Sequence, residues 1–258
     1  MTEFKICNLS FAYGEQRVLK NIALDVETGS INVFLGLNGS GKTTLLKLIT
    51  GVLPTPKNTV FIDKKDATQF SALQLSQKIS YVPQSIPWDN DFVVRDYLTF
   101  GRMNKIKFYA LPKEEDVQKA IAVAKEFQIE HLLKKKMNEL SGGQRQLVVI
   151  ARAVVQDADI ILMDEPTASI DYQYIDRFIR YLQMLKKRGK TILFSCHNPS
   201  IPLILNANVF VLEKGELKDS GNARTLLTLE KLQDIYGCAF VAADELPYKE
   251  YSMKPVEL

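Results

Sequence analysis

The stretch SINVFLGLNGSGKTTLLKLITG, Ser30 to Gly51, decides how this chain folds. INVFL is a continuous apolar run, which suits a strand buried on both faces of a parallel or mixed sheet, and TTLLKLITG reads as a helix. Between them GLNGSGKT, Gly36 to Thr43, matches G-x-x-x-x-G-K-[ST] with the strand before and the helix after that the pattern requires. Its glycines let successive backbone N–H groups turn toward β- and γ-phosphates. Gly36, Leu37, Asn38, Gly39, Ser40, Gly41, Lys42, Thr43 and Thr44 therefore form a candidate phosphate cradle. Lys42 adds a point charge, and the Thr43 hydroxyl is a candidate Mg²⁺ ligand.

Downstream, ADIILMDE reads as a second buried strand ending in two acids. Asp164 at its C-terminal end is placed to hold Mg²⁺ through water. Glu165 follows directly and reads either as a general base for an attacking water or as an exposed strand-end charge. A third apolar strand, KTILFSCH, ends at His197. A histidine there can reach the crevice where open α/β sheets bind ligands. It is a γ-phosphate sensor or a surface residue, and residue types alone leave both readings open.

Around these strands the chain alternates. FKICNLSFAY and NIALDVETG read as short strands punctuated by turns at Gly14-Glu15 and Thr28-Gly29. From VRDYLTFG to ARAVVQ the pattern turns helical. PKEEDVQKAIAVAKEFQIEHLLKK reads as one helix running from the acids after Pro112 to Lys134–Lys136, the charge order a helix dipole favours. YIDRFIRYLQMLKKRG is a helix ending at Gly189, and NVFVLEKGELKDSG is a hairpin. An α/β core is thus interrupted by a helical block, roughly residues 86–155, and then resumes.

Composition narrows the class. With 258 residues, 46% hydrophobic and 24% charged, the chain has ordinary globular usage, so disordered and fibrous classes drop out. A formal charge of +3 is too small to argue for a nucleic-acid partner, and none is expected. Cys7, Cys196 and Cys238 are odd in number and form no CxxC pair, which suits a reduced, cytosolic setting. No apolar run approaches the ~18 residues that span a bilayer, and MTEFKICNLS is too polar for a signal peptide. Work at a membrane would need another chain for the membrane part. Lys134–Lys136 and the KKRGK run at 186–190 read as solvated helix ends in preference to lipid contacts.

LSGGQRQ, Leu140 to Gln146, is a second phosphate-type element: Ser141 stands where an N-cap would, and glycines open the helix behind it. GLNGSGKTT, YVPQ, LSGGQRQ, IILMDEPTASID and FSCH together resemble, in order and spacing, the ATP-binding-cassette (ABC) ATPases, over Tyr13 to about Tyr236. The resemblance implies an α/β P-loop NTPase core, with a RecA-like mixed sheet and an N-terminal antiparallel β-subdomain. It also implies an inserted helical subdomain carrying the signature, all within one nucleotide-binding domain spanning residues 1–258. It implies ATP and Mg²⁺ as ligands and a homodimer with two shared ATP sites. In that dimer Ser141 and Gly143 of one copy, flanked by Gly142 and Gln144, cover the γ-phosphate held by the other's Gly36–Thr43 loop. By the same resemblance Tyr13 stacks on adenine, Gln84 touches Mg²⁺ and the attacking water, and Asp171 communicates across the dimer. Glu165 becomes the base and His197 the switch histidine.

Three positions depart from the family pattern. Asn58-Thr59 stands where a glycine is usual, Leu147 where a basic residue commonly follows the signature, and Ile170 where leucine is common. No catalytic group is lost. With one cassette, no fused span, no long coiled-coil insertion and no long regulatory extension, the chain is most like an importer ATPase subunit. VRDYLTFGRMN resembles the V-x-D-x-x-x-x-G-R segment of the metal-chelate group, and CHNPS and TLLTLEKLQDIYG resemble its ending. The expected function is ATP hydrolysis that energises uptake of a ferric siderophore, haem or cobalamin. The expected partners are a separate integral-membrane permease and a substrate-binding protein, with the chain peripheral at the cytoplasmic face of the cell membrane. The alternatives are a zinc or manganese importer ATPase and a soluble ABC clamp in repair or iron–sulfur assembly.

Overall fold

The computed structural model describes residues 3–85, 91–107, 110–168 and 172–238. β1 (Phe4–Tyr13) and β2 (Gln16–Val26) form an antiparallel hairpin. β2 starts five residues before the expected strand at Asn21, because Tyr13 pairs with Gln16 around a turn in which Gly14 takes φ 57°. β3 (Ile31–Leu35), α1 (Lys42–Ile49), β4 (Val60–Ile62) and β5 (Lys65–Asp66) follow. β4 and β5 return to the hairpin, giving a four-stranded sheet of order β2-β1-β4-β5. The turn before β4 needs no glycine: Asn58 itself adopts φ 58°, and its N–H donates to Asp66 Oδ2.

Next come α2 (Ala72–Lys78), β6 (Ile79–Val82), α3 (Val94–Thr99), α4 (Glu114–Glu126), α5 (Gly142–Val155) and β7 (Ile160–Met163). They are followed by α6 (Tyr172–Lys187), β8 (Thr191–Cys196), α7 (Ser200–Leu205) and β9 (Asn208–Glu213). β10 (Glu216–Asn222), α8 (Ala223–Leu226) and α9 (Leu229–Tyr236) complete the order. The main sheet runs β10-β9-β3-β8-β7-β6, parallel throughout except for the edge strand β10. β9 and β10 are the expected hairpin, turned by Lys214 and Gly215 at φ 49° and 82°.

The continuous apolar strands alternate between two cores. Ile161 and Met163 of β7 and Ile192 and Phe194 of β8 face a cluster built with α3–α6. Ile160, Leu162 and Leu193 face the opposite cluster, shared with α1 and the antiparallel sheet. Leu147 is 1% exposed inside the first of these, so the position after the signature serves packing.

The single helix expected over 112–135 is broken. α4 ends at Glu126, Gln128 turns to φ 55°, and a short 3₁₀ turn covers Glu130–Leu132. Phe127, Ile129 and Leu132 are all buried, and a straight helix would point Phe127 and Ile129 to opposite sides. Breaking the helix lets all three reach the core. Lys134–Lys136 are therefore not its last turn, which holds Lys125 instead. Lys136 pairs with Asp91 at 3.0 Å, Arg188 with Glu126 at 2.7 Å and Lys190 with Asp157 at 3.1 Å, so these basic runs meet acids of the same chain. Among the described residues no helix is long and apolar enough to cross a membrane.

Candidate active site

The phosphate loop leaves β3 at Gly36 and enters α1 at Lys42. Gly36 has no room for a side chain, since a Cβ there would lie 2.2 Å from the Leu212 carbonyl oxygen. Gly41 takes φ 103°, in the region that favours glycine, and a Cβ there would fall 2.7 Å from Leu19 Cδ2. No side chain caps α1, so its first N–H groups remain available to an anion. Lys42 is 4% exposed, and its Nζ donates to the carbonyls of Gly36 at 2.8 Å and Leu37 at 3.0 Å. Burial holds its pKa below the ordinary lysine value, against the pull of Glu165 and Asp164.

β7 and β8 deliver the acids. Asp164 is buried, and its Oδ1 accepts from Thr43 Oγ1 at 3.1 Å and from Ser195 Oγ at 2.6 Å. The same Ser195 oxygen accepts the Glu165 N–H at 2.7 Å. Glu165 sits in the left-handed region at φ 44°, uncommon for a residue with a side chain. Its Oε2 accepts from Gln84 Nε2 at 3.1 Å and lies 3.9 Å from His197 Nδ1, while Oε1 lies 3.9 Å from Lys42 Nζ. The fold thus gathers Lys42, Thr43, Gln84, Asp164, Glu165 and His197 from four separate segments.

These residues divide two clefts. One of about 440 Å³ is lined by Tyr13, Gln16, Val18, the loop residues Asn38, Gly39 and Gly41 to Thr44, Gln84 and Glu165. Tyr13 meets Phe11 edge-to-face at 5.0 Å and is half exposed at its rim. The other, about 540 Å³, lies between Gln84, Glu165 and Pro166 and the α5 residues Gly142, Arg145 and Gln146. Gln84 and Glu165 belong to both.

Ser141 caps α5, accepting the Gln144 N–H at 3.3 Å while Gln144 Oε1 accepts the Ser141 N–H at 3.2 Å. Ser141 and Gly142 are exposed, and Ser141 lines neither cleft. Gly143 is buried instead: a Cβ there would lie 2.5 Å from the Tyr174 ring. Asp171 and Ile170 lie outside the described residues.

The loop and acids fit a Mg-nucleotide. Asp164 Oδ2 and Ser40 Oγ are buried without a hydrogen-bond partner, as expected of groups that meet a bound ion or phosphate. Among the described residues no cluster of three His, Cys, Asp or Glu side chains could hold a metal unaided. Mg²⁺ bound by one carboxylate, a hydroxyl and substrate phosphates suits that donor set. Ser195 was not among the candidates read from the sequence. Its only signal there is a polar residue inside the apolar strand TILFSC.

The family model of the ABC transporter matches residues 19–168. An uncharacterized ABC transporter ATP-binding protein of Haemophilus influenzae is 34% identical over 89% of this chain and 87% of its own length. The probable iron chelatin transport ATP-binding protein of Helicobacter pylori is 30% identical over 90% and 92%. The manganese transport system ATP-binding protein of Bacillus subtilis is 33% identical over 92% and 93%. Among solved structures, a metal-chelate type ABC transporter in an inward-facing conformation superposes with TM-score 0.79 at 29% identity, covering 92% of this chain and 90% of that one. A dimeric bacterial ABC transporter cassette gives 0.76 at 28% identity, covering 86% and 99%. The likeness extends over nearly the whole chain and includes the phosphate loop and both acids, and the chain belongs to the ABC transporter family as an ATP-binding ATPase.

Proposed function

We propose that this chain is the ATP-hydrolysing subunit of an importer for a metal chelate, peripheral at the cytoplasmic face of the cell membrane. It works there with a separate permease and a substrate-binding protein. The observation that carries the hydrolytic reading is the convergence of Lys42, Gln84 and His197 on the Glu165 carboxylate. Likeness to the iron chelatin and metal-chelate proteins over nine-tenths of each chain supports the cargo class.

In this reading the loop N–H groups and Lys42 bind the β- and γ-phosphates of ATP, and Tyr13 takes the adenine. Thr43, Asp164 and Gln84 would hold Mg²⁺, which when bound neutralises charge building on the phosphate oxygens. Glu165 accepts the proton of the attacking water, and Gln84 orients both. His197 senses the γ-phosphate. Two copies enclose two nucleotides, Ser141 and Gly143 of each covering the other's γ-phosphate, and the exposed Ser141–Gly142 turn supports that arrangement. Residues of about 86–155 form the inserted helical subdomain, and Gln84 at its entrance reports nucleotide state to the permease.

A second reading, manganese import, is favoured by the Bacillus subtilis relative. The test is co-purification of the tagged chain from detergent-solubilised native membranes, followed by uptake of labelled iron chelate and labelled manganese in cells lacking it. A many-span permease beside a binding protein, with chelate uptake lost, is the expected result. Loss of manganese uptake alone would establish the second reading. Recovery of soluble partners only would overturn the importer.

A further inference from the structure

His197 carries an assignment its own side chain does little to secure. The side chain is 53% exposed, and its Nδ1 lies 3.9 Å from Glu165 Oε2, beyond hydrogen-bond reach. What holds the residue is its backbone. The Tyr236 hydroxyl, from the last turn of α9, donates to the His197 carbonyl at 2.7 Å across 39 residues of sequence.

Tyr236 is well placed to act as an anchor. α9 begins with Thr228 capping the Lys231 N–H and ends at Gly237 in the left-handed conformation, so the position of Tyr236 on the helix is fixed at both ends. Its inner face, with Leu232 and Ile235, packs on Leu35, Val209 and Val211. Leu35 is the residue before the phosphate loop. The outer end of α9, Asp234–Gly237, faces Leu37–Ser40 of that loop across a cleft of about 420 Å³. One short helix therefore touches the root of the phosphate loop and the backbone of the switch histidine. Burial raises the phenol pKa, keeping the hydroxyl protonated as the donor this contact needs.

We infer that Tyr236 is a positioning residue for the ATPase reaction, setting His197 through its carbonyl and tying the C-terminal helix to the catalytic cycle. This rests on the reading of His197 as the γ-phosphate sensor. The chain has only two histidines, His131 and His197, so the His197 imidazole can be followed by NMR in the full-length protein once His197→Ala has assigned it.

Tyr236→Phe keeps the ring and removes the hydroxyl. It is expected to lower kcat about five- to tenfold, the loss of one hydrogen bond's worth of alignment, with KM for ATP unchanged. It is also expected to shift or broaden the His197 imidazole signal and to cost nothing further in a His197→Ala background. A variant that merely lost its fold would lose ATP binding, so an unchanged KM separates the two. If Tyr236→Phe keeps full turnover and an unaltered His197 signal while His197→Ala loses turnover, the inference is wrong and the sensor reading stands. Full turnover in His197→Ala would instead sink the sensor reading, and with it the catalytic consequence assigned to Tyr236.

Discussion

Ser195 is the smallest feature of the site with the widest reach: one hydroxyl donates to Asp164 and accepts from Glu165, the two adjacent acids with different proposed tasks. Removing it leaves a part-buried Glu165 N–H without that acceptor and Asp164 Oδ1 with only the Thr43 hydroxyl among the described residues, a cost of about 1–3 kcal/mol. Ser195→Ala is therefore expected to melt at a lower temperature and, as for other residues that orient a metal ligand, to need about 10–100-fold more Mg²⁺ for half-maximal turnover. A melting shift with an unchanged Mg²⁺ requirement would reduce Ser195 to a structural role. Much of this site was legible at the residue scale because phosphate chemistry needs fixed spacing: Lys42 and Thr43 stand next to each other, and Asp164 and Glu165 end one strand. Ser195 was not, because a single hydroxyl in an apolar strand has no spacing to betray it. Nor does the sequence reveal that Glu165 takes the left-handed region while its N–H donates to Ser195.

At the scale of elements, the segment that resembles the metal-chelate pattern turns out to be packing. Gly101 lies against α5, where a Cβ would meet the Arg152 carbonyl oxygen at 2.6 Å and Val155 Cβ at 3.0 Å. Arg102, 7% exposed, pairs with Asp116 at 3.2 Å and donates to the Val155 carbonyl at 3.4 Å. The Gly-Arg pair thus fastens the turn after α3 to α4 and α5. Gly101→Ala forces that joint apart and is expected to cost about 1–3 kcal/mol of stability, read as a lower thermal midpoint. An unshifted midpoint would mean the joint yields freely. Elements whose boundaries follow local chemistry were readable: the hairpin at Lys214-Gly215 and the apolar strands. The end of α4 was not, because its acidic start and basic continuation fit a longer helix, and only the demand of Phe127, Ile129 and Leu132 for one core breaks it.

For the whole molecule the decisive question is whether two copies share each nucleotide. With Glu165 as the base, Glu165→Gln is expected to bind ATP while losing about 10²–10⁴-fold in turnover, accumulating an ATP-dependent dimer visible by light scattering. Ser141→Arg added to it should keep ATP binding and abolish that dimer. A double variant that still dimerises with ATP would refute the shared site. Strands buried on both faces were legible as the continuous apolar runs of β7 and β8, but the division of their side chains between two cores is seen only in the fold. A relation between copies would leave no periodicity, and its signals in the sequence are the Ser-Gly-Gly turn and Asp171.

The contact between Gly143 and the Tyr174 ring has a mechanical meaning. It seats the backbone at the start of α5 on the Tyr174 ring near the start of α6, so closely that a Cβ at position 143 would fall 2.5 Å from that ring. Displacement at one helix start is therefore transmitted to the other with little slack. A signature turn that moves would press on the Tyr174 ring and so on the first turn of α6.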